Sequence, residues 1–119
     1  MSMVYKLVAI DGKGRVKLSP GKRTYPMAKQ VYRRRDSQGR FVGDHVARWD
    51  EEAEGEPLLV PVLQNGQLVR EFPRLDAIRA RCLEQTSTLP DDLRGVDAKG
   101  TYPLSYSEAL EEAARELGL

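Results

Sequence analysis

The chain has 119 residues, of which 40% are hydrophobic and 31% are charged, a composition typical of a globular protein and not of a disordered one. Its one cysteine excludes an internal disulfide, and no apolar run reaches the roughly 18 residues of a membrane span, so we expect one cytoplasmic domain over residues 1–119. The net charge of +1 conceals two unlike halves, because residues 1–50 carry 12 basic and 4 acidic groups and the rest of the chain carries 7 and 14.

The first half of the sequence predicts mostly β-structure. Val4–Ile10 is rich in β-branched and aromatic residues and predicts a strand, which the glycine-containing turn Asp11–Gly14 joins to a second strand, Arg15–Leu18. Further extended segments are predicted at Gln30–Arg33, Phe41–Val42 and Val46–Trp49. Two segments predict turns or loops instead: Asp36–Gly39 and the acidic Asp50–Glu56.

The middle of the chain contains the strongest local signal, an Asn65-Gly66 pair between two apolar runs. Both residues tolerate a positive φ, so the pair predicts a type I′ turn and a β-hairpin. Pro61 lies inside the first run and cannot donate to a strand ladder, which predicts a sheet edge or a bulge there.

The last third of the sequence predicts two helices. The first follows Pro73 and ends before Pro90, with an apolar stripe formed by Leu75, Ile78, Cys82 and Leu83. The second is predicted to begin at a capping box of Ser105 and Glu108 and to carry Leu110, Ala113, Ala114 and Leu117 on one face. Strands followed by helices predict an α+β fold, with a small antiparallel sheet and two C-terminal helices.

Few residues are suited to catalysis or to metal binding. His45 is the only histidine, so no metal site with two imidazoles can form within one chain. We interpret His45 as structural or exposed, and Cys82, on the apolar stripe, as a buried and inert thiol. The acidic segment lacks the spacing of a calcium-binding loop. The sequence therefore predicts no catalytic residue and no metal site.

The basic segment at residues 15–35 is the feature most suited to binding a ligand. It has eight Lys or Arg residues and no acidic residue, and turns rich in proline and glycine separate its lysines. Ammonium groups, hydroxyls and free backbone N–H groups on such loops can bind phosphate oxygens. A basic, solvated surface is the plain alternative, and composition does not separate the two.

Two classes of function remain open at this point. The chain is either part of an enzyme, in which the basic segment contributes to a phosphate site, or an independent module that binds RNA or DNA. In a nucleic-acid module, the aromatic side chains available for base stacking are Tyr25, Tyr32, Phe41 and Trp49. Affinity that falls steeply with salt would support the second class.

Motifs along nearly the whole chain resemble the C-terminal region of nicotinate phosphoribosyltransferases. The first group is Val4–Val8, Asp11-Gly12, Lys17–Ser19, Lys22, Thr24, Pro26 and Lys29–Val31, which is similar to a family run written YKLV, KLS and KxTxPGxKxV. The second group is Glu56–Val62, Asn65-Gly66, Pro73–Leu75, Ile78-Arg79 and Tyr102–Ser105. Each motif is short, but their order and spacing are together fairly specific.

The resemblance implies an enzyme of NAD salvage that joins nicotinate to phosphoribosyl pyrophosphate, driven by ATP hydrolysis and with Mg²⁺ on the pyrophosphate. It also implies a homodimer and a catalytic α/β barrel upstream of this region. We expect this chain, without that barrel, to be inactive on its own and to bind no cofactor by itself. We also expect no nucleic acid partner and no membrane partner.

The resemblance also implies site residues. Lys17 matches a family lysine near the phosphates of phosphoribosyl pyrophosphate, and Ser19, Lys22 and Thr24 belong to the same motif. Lys29 and Arg33–Arg35 are expected on the surface or between domains. Met27 is a departure, because the family often has glycine after the proline, and it makes the loop conformation there an open question.

Overall fold

The computed structural model describes residues 5–18, 20–21 and 24–119 and has an α+β fold. Within these residues the chain forms eight strands and two α-helices. A short 3-10 helix, Asp91–Leu93, lies between the first α-helix and the last strand. The strands are β1 (Ala9–Ile10), β2 (Lys13–Gly14), β3 (Lys29–Arg35), β4 (Phe41–Arg48), β5 (Glu56–Pro57), β6 (Leu63–Gln64), β7 (Gln67–Leu68) and β8 (Leu104–Tyr106). The helices are α1 (Leu75–Ser87) and α2 (Glu108–Glu116).

A four-stranded sheet in the order β5-β3-β4-β8 is the centre of the fold. Strands β3 and β4 pair antiparallel from Lys29 opposite Arg48 to Arg35 opposite Phe41. The two extended segments predicted for β4 are one continuous strand, because the polar residues between them remain in the ladder. Strand β8 pairs with β4 in parallel, so the main sheet is mixed and not purely antiparallel.

Two hairpins lie outside this sheet. The Asn-Gly turn is confirmed: Asn65 and Gly66 both have positive φ, 51° and 75°, and they join β6 to β7. This hairpin forms a sheet of its own, and Pro61 precedes its first strand. The N-terminal hairpin joins β1 to β2 at Asp11-Gly12, where both φ values are again positive. Its first strand is shorter than predicted, and its second strand is Lys13–Gly14 and not the predicted Arg15–Leu18, which is not a strand.

The apolar core lies between the main sheet and α2. Leu110 and Ala114 of α2 are fully buried with Tyr25, and partly buried side chains pack around them: Met27, Val46, Tyr106 and Leu119. The predicted cap of α2 is wrong by two residues. Ser107 is the N-cap, and its hydroxyl accepts a hydrogen bond from the N–H of Leu110, whereas Ser105 lies in β8.

The acidic connector is more than a solvated loop, because Glu51 holds three parts of the fold together. Its carboxylate accepts a hydrogen bond from the N–H of Arg48 at 2.7 Å and another from the hydroxyl of Ser107 at 2.6 Å. Its backbone carbonyl accepts from the hydroxyl of Tyr32 at 2.7 Å. The end of β4, the start of α2 and strand β3 are thereby joined through one residue.

Helix α1 forms where it was predicted but is not buried. None of its 13 residues, all of which the structure describes, is buried, and Leu75 and Leu83 are 80% and 64% exposed. Cys82 is exposed as well, so its interpretation as a buried thiol is wrong. The apolar stripe exists, but nothing in the described chain covers it. No helix within the described residues is long and apolar enough to cross a bilayer.

Candidate functional site

One backbone carbonyl holds both ends of a basic loop, which we define as residues 16–26. The oxygen of Val8 accepts a hydrogen bond from the N–H of Arg15 at 2.9 Å and another from the N–H of Met27 at 2.8 Å. Both ends of the segment between these two residues are therefore tied to the same point of the fold. Such a closed loop presents its side chains from a fixed base.

The predicted phosphate-binding residues belong to this loop. Lys17 is exposed, and the half-buried Thr24 accepts a hydrogen bond from the ammonium of Lys6 at 3.5 Å. Ser19 and Lys22 lie outside the described residues. The structure thus places two of the four residues on one loop, and their phosphate-binding role stays a prediction.

The C-terminal end of the basic loop is anchored in the core. The ring of Tyr25 stacks on that of Tyr106 with centroids 4.2 Å apart, and its hydroxyl donates to Glu111 at 2.9 Å. Pro26 is fully buried. Met27, in place of the family glycine, has a φ of 69°, which is the left-handed conformation that glycine adopts most easily. The methionine therefore keeps a backbone shape typical of glycine.

Lys29 stabilises the same end of the loop by binding backbone carbonyls. Its ammonium donates to the carbonyls of Tyr25, Pro26 and Met27 at 2.7, 3.1 and 2.6 Å. An ammonium has three donors, so these bonds use all of them. Burial lowers the pKa of Lys29. Lys29 is thus a structural residue of the loop and does not present its charge on a free surface.

A second polar cluster lies on β3 and β4, beyond the predicted site. Both nitrogens of the Arg33 fork donate to the carboxylate of Asp44, at 2.9 and 2.8 Å, and the hydroxyl of Tyr102 donates to Asp44 at 3.0 Å. The hydrogen bond with Arg33 lowers the pKa of Asp44, while burial and the bond to Asp44 raise the pKa of Tyr102. The carboxylate of Asp44 therefore stays ionised and the hydroxyl of Tyr102 stays protonated. The cluster joins β3 and β4 to the segment before β8, which is a structural role.

The guanidinium of Arg33 also stacks on an aromatic ring. Arg33 and Arg35 both lie over Phe41, with their central carbons 4.6 and 4.4 Å from the ring centroid. Arg35 in addition pairs with Glu56 at 3.5 Å. Two of the three consecutive arginines are therefore engaged within the sheet and are not free to bind a polyanion.

Arg34 points to the opposite face of the sheet, next to His45. The Nδ1 of His45 lies 2.9 Å from the hydroxyl of Ser105. A shallow cleft of about 180 Å³ is lined by Arg34, His45 and the neighbouring Glu54. The Nε of Arg34 is buried and has no hydrogen-bond partner among the described residues. Nothing in the sequence pattern distinguishes Arg34 from its neighbours except its place in the alternation of the strand.

The aromatic residues considered for base stacking are mostly inaccessible. Tyr25, Tyr32 and Phe41 are buried, at 7%, 9% and 2% exposure, and only Trp49 is exposed. A nucleic-acid module needs aromatic faces that bases can reach. The structure therefore gives no support to the nucleic-acid alternative.

The described residues also bring together no group of three or more His, Cys, Asp or Glu side chains that could hold a metal ion. Anion binding stays a prediction for the basic loop, whereas Arg33 and Arg35 of β3 are engaged within the sheet.

Comparison with known proteins points to one enzyme family. Residues 52–114 match the family model described as the nicotinate phosphoribosyltransferase C-terminal domain. This match begins after the basic loop and covers the hairpin, α1, β8 and most of α2.

Individual relatives match more of the chain. A nicotinate phosphoribosyltransferase of Mycobacterium tuberculosis, pncB2, is 42% identical over 112 residues, which cover 92% of this chain and 24% of the relative. The nicotinate phosphoribosyltransferase of Homo sapiens is 30% identical over 139 residues, covering 96% and 26%. The crystal structure of the human nicotinic acid phosphoribosyltransferase superposes with a TM-score of 0.84 at 27% identity, covering 98% of this chain and 27% of that one. The chain spans about a quarter of the length of the curated relatives that it matches.

Proposed function

The chain belongs to the nicotinate phosphoribosyltransferase C-terminal domain family, and we propose that it serves as that domain in an enzyme of NAD salvage. The observation that carries the proposal is the match of nearly the whole chain to one quarter of enzymes with this name. The fold and the order of the motifs agree with it. The remaining three quarters of such an enzyme would supply the catalytic α/β barrel.

The proposed parent reaction joins nicotinate to phosphoribosyl pyrophosphate, forms nicotinate mononucleotide and releases pyrophosphate, with ATP hydrolysis driving it. We propose that the enzyme acts in the cytoplasm as a homodimer. We propose that Mg²⁺ and ATP are held outside this chain. This chain alone would then have no transferase activity.

Within that enzyme, the basic loop would face the phosphates of phosphoribosyl pyrophosphate. Negative charge builds up on the departing pyrophosphate during the transfer, and fixed cations stabilise such charge. Lys17 and Lys22 would supply cations, and Ser19 and Thr24 would supply hydroxyl donors. The closed base of the loop at Val8 and its anchoring by Lys29 support this role, since cations stabilise developing charge best when they are held in place before the reaction.

A chimeric enzyme tests the proposed function. In the chimera, this chain replaces the matching quarter of the Mycobacterium tuberculosis relative, and the unmodified relative is the control. We expect the chimera to form nicotinate mononucleotide from nicotinate, phosphoribosyl pyrophosphate and ATP. A chimera that folds, as judged by circular dichroism and gel filtration, but forms no product would contradict the proposal.

Substitution of Lys17 tests the role of the basic loop. In the active chimera, Lys17→Ala should raise the KM for phosphoribosyl pyrophosphate by about tenfold, which corresponds to about 1.4 kcal/mol. Lys13→Ala removes an equally exposed lysine on β2 and is the matched control. An unchanged KM in the Lys17 variant would remove this loop from the substrate site while leaving the family membership intact.

A further inference from the structure

Helix α1 stands away from the main sheet and leaves an open cleft between them. The cleft has a volume of about 500 Å³. Its sheet side is formed by Arg33 and Phe41, and its helix side includes Ile78, Arg81 and Cys82. A helix that packs on its own sheet excludes such a space, since protein interiors have few voids larger than a water molecule. The helix is therefore held at a distance that leaves room for another segment.

A second, narrower cleft lies on the other side of Arg81. Its volume is about 250 Å³, and it lies between β5 with the residues that follow it and the segment that leads into α1. Its apolar lining residues are Pro57, Leu58, Val60, Val62, Phe72 and Pro73. Phe72 lines this cleft and is nevertheless 73% exposed. Aromatic side chains left open beside an apolar pocket are typical of interface anchors.

The charges beside these clefts are mostly positive. Arg70, Arg79 and Arg81 make no ion pair with any described residue, and Arg70 and Arg81 line the narrower cleft. Glu56 and Glu71 line it too, but Glu56 already pairs with Arg35. A surface with an apolar centre and unpaired guanidinium groups fits a partner with apolar anchors and carboxylates around them.

Half of the large apolar side chains that the described residues expose lie in one region. We define the docking face as α1 with the segment from Leu58 to Pro73. Its exposed large apolar side chains are Leu59, Val60, Leu63, Leu68, Val69, Phe72, Leu75, Ile78 and Leu83. Exposed apolar side chains concentrated in one region are typical of sites where another protein surface binds.

We propose that the docking face binds the portion of the same enzyme that lies outside this chain, with apolar side chains of that portion filling both clefts and its carboxylates facing Arg70 and Arg81. The proposal rests on the proposed function, because the relatives are about four times as long as this chain and the additional length is available to cover the face. A second copy of the chain is the competing occupant, and its binding would depend on the concentration of the chain.

Hydrogen exchange of the backbone amides in the isolated chain and in the chimera tests this proposal. We expect the amides of α1 and of residues 62–72 to exchange at least tenfold more slowly in the chimera, while those of β3 and β4 change little. Equal exchange rates in an active chimera would overturn the docking proposal and leave the proposed function standing. Slower exchange in an inactive chimera would support the docking proposal and contradict the proposed function.

Two variants make the test specific. Ile78→Asp and Phe72→Asp should return the exchange of α1 in the chimera to the rate in the isolated chain, whereas Val96→Asp, at a fully exposed residue outside the face, should not. Equal effects of all three variants would overturn the proposal. Protection of α1 that depends on the concentration of the isolated chain would assign the face to a second copy instead.

A chimera that does not fold would be replaced by co-expression of this chain with the remaining part of the relative. Copurification of the two parts, lost in Ile78→Asp and kept in Val96→Asp, is the expected result. Failure of the two soluble parts to copurify would overturn the docking proposal.

Discussion

Two regions of the molecule use apolar residues in opposite ways. The sheet region, which we define as residues 29–57 and 102–119, contains most of the buried side chains, among them Phe41 and Leu110. The segment from Leu58 to Ser87 holds many large apolar residues, and the structure describes all of it, but none of its side chains is buried. Both regions have regular secondary structure. The difference teaches that an apolar pattern predicts a helix or a hairpin, but that burial depends on what is available to cover it.

The largest effect that separates the two regions should come from leucines in the two helices. Leu110→Ala removes a fully buried side chain of α2 and should lower the free energy of unfolding by about 3 kcal/mol. Leu75→Ala makes the same change at an 80% exposed position of α1 and should change it by less than about 0.5 kcal/mol. Urea denaturation of the isolated chain measures both. Equal losses would mean that α1 is packed after all.

The Arg33 and Asp44 pair offers a second test of the sheet region. Asp44→Ala leaves a half-buried guanidinium and the hydroxyl of Tyr102 without their acceptor, so we expect a loss of about 2 kcal/mol. The control is Asp50→Ala, which breaks an exposed pair with Arg48 and should cost less than about 1 kcal/mol. A loss at Asp44 no greater than that at Asp50 would show that the cluster is not structural.

The same pair predicts a dependence on pH. Because the hydrogen bond with Arg33 lowers the pKa of Asp44 in the folded protein, its contribution to stability is complete above the unfolded value of about 3.9. It is lost as the pH falls from there through the lower folded value. The difference in unfolding free energy between the wild type and Asp44→Ala should therefore shrink below about pH 4. A difference that stays constant from pH 7 to pH 2 would contradict this origin.

A close backbone contact at Gly55 allows a third comparison. The φ of Gly55 is 125°, and a Cβ there would lie 2.7 Å from the carbonyl oxygen of Arg33. Gly55→Ala should therefore cost about 2 kcal/mol or more. Gly95 also has a positive φ, 106°, but a Cβ there would meet nothing within 4 Å, so Gly95→Ala should cost only about 1 kcal/mol. Thermal unfolding in parallel measures the two, and similar costs would show that β5 moves freely.

The smallest expected effect concerns Met27, the left-handed residue that follows the basic loop. Met27→Gly and Met27→Ala both remove the same packing against the core, but only glycine adopts a φ of 69° at little cost. The glycine variant should therefore be more stable than the alanine variant by about 1 kcal/mol. At the neighbouring Ala28, which has no positive φ, replacement by glycine should destabilise instead. The opposite order at Met27 would mean that the loop rearranges.

Local patterns in the sequence predicted the elements well. The Asn65-Gly66 turn, strand β3 and helix α1 follow from turn chemistry, β-propensity and helical spacing, which act within a few residues. Contacts between distant segments left no such signal. The parallel pairing of β8 with β4 and the hydrogen bond from Ser107 to Glu51 depend on how the chain returns to itself.

The candidate site shows the same limit. The resemblance to a family identified the basic loop and Lys17, but the apolar stripe of α1 was expected to be buried because the pattern is the same for a core and for an interface. Likewise, the spacing of Ser105 and Glu108 predicts a cap at Ser105, but β8 extends over this residue and Ser107 is the cap instead. Burial and capping thus depended on tertiary contacts that the pattern alone does not specify.

The pairing of β8 beside β4 has a consequence for how the chain tolerates changes in length. Strand β5 pairs with β3 at one edge of the sheet, and β8 pairs with β4 at the other edge. The chain between Pro57 and Leu104 is therefore an excursion whose two ends are fixed on one sheet. The entropy of closing such a loop grows slowly, by about 0.6 kcal/mol for each doubling of its length. Insertions are therefore inexpensive there, and the alignment with the human relative extends over 139 positions, more than the 119 residues of this chain. We expect family members to vary in length mainly within this excursion, so that they can adjust the fit to their own catalytic portion without disturbing the sheet.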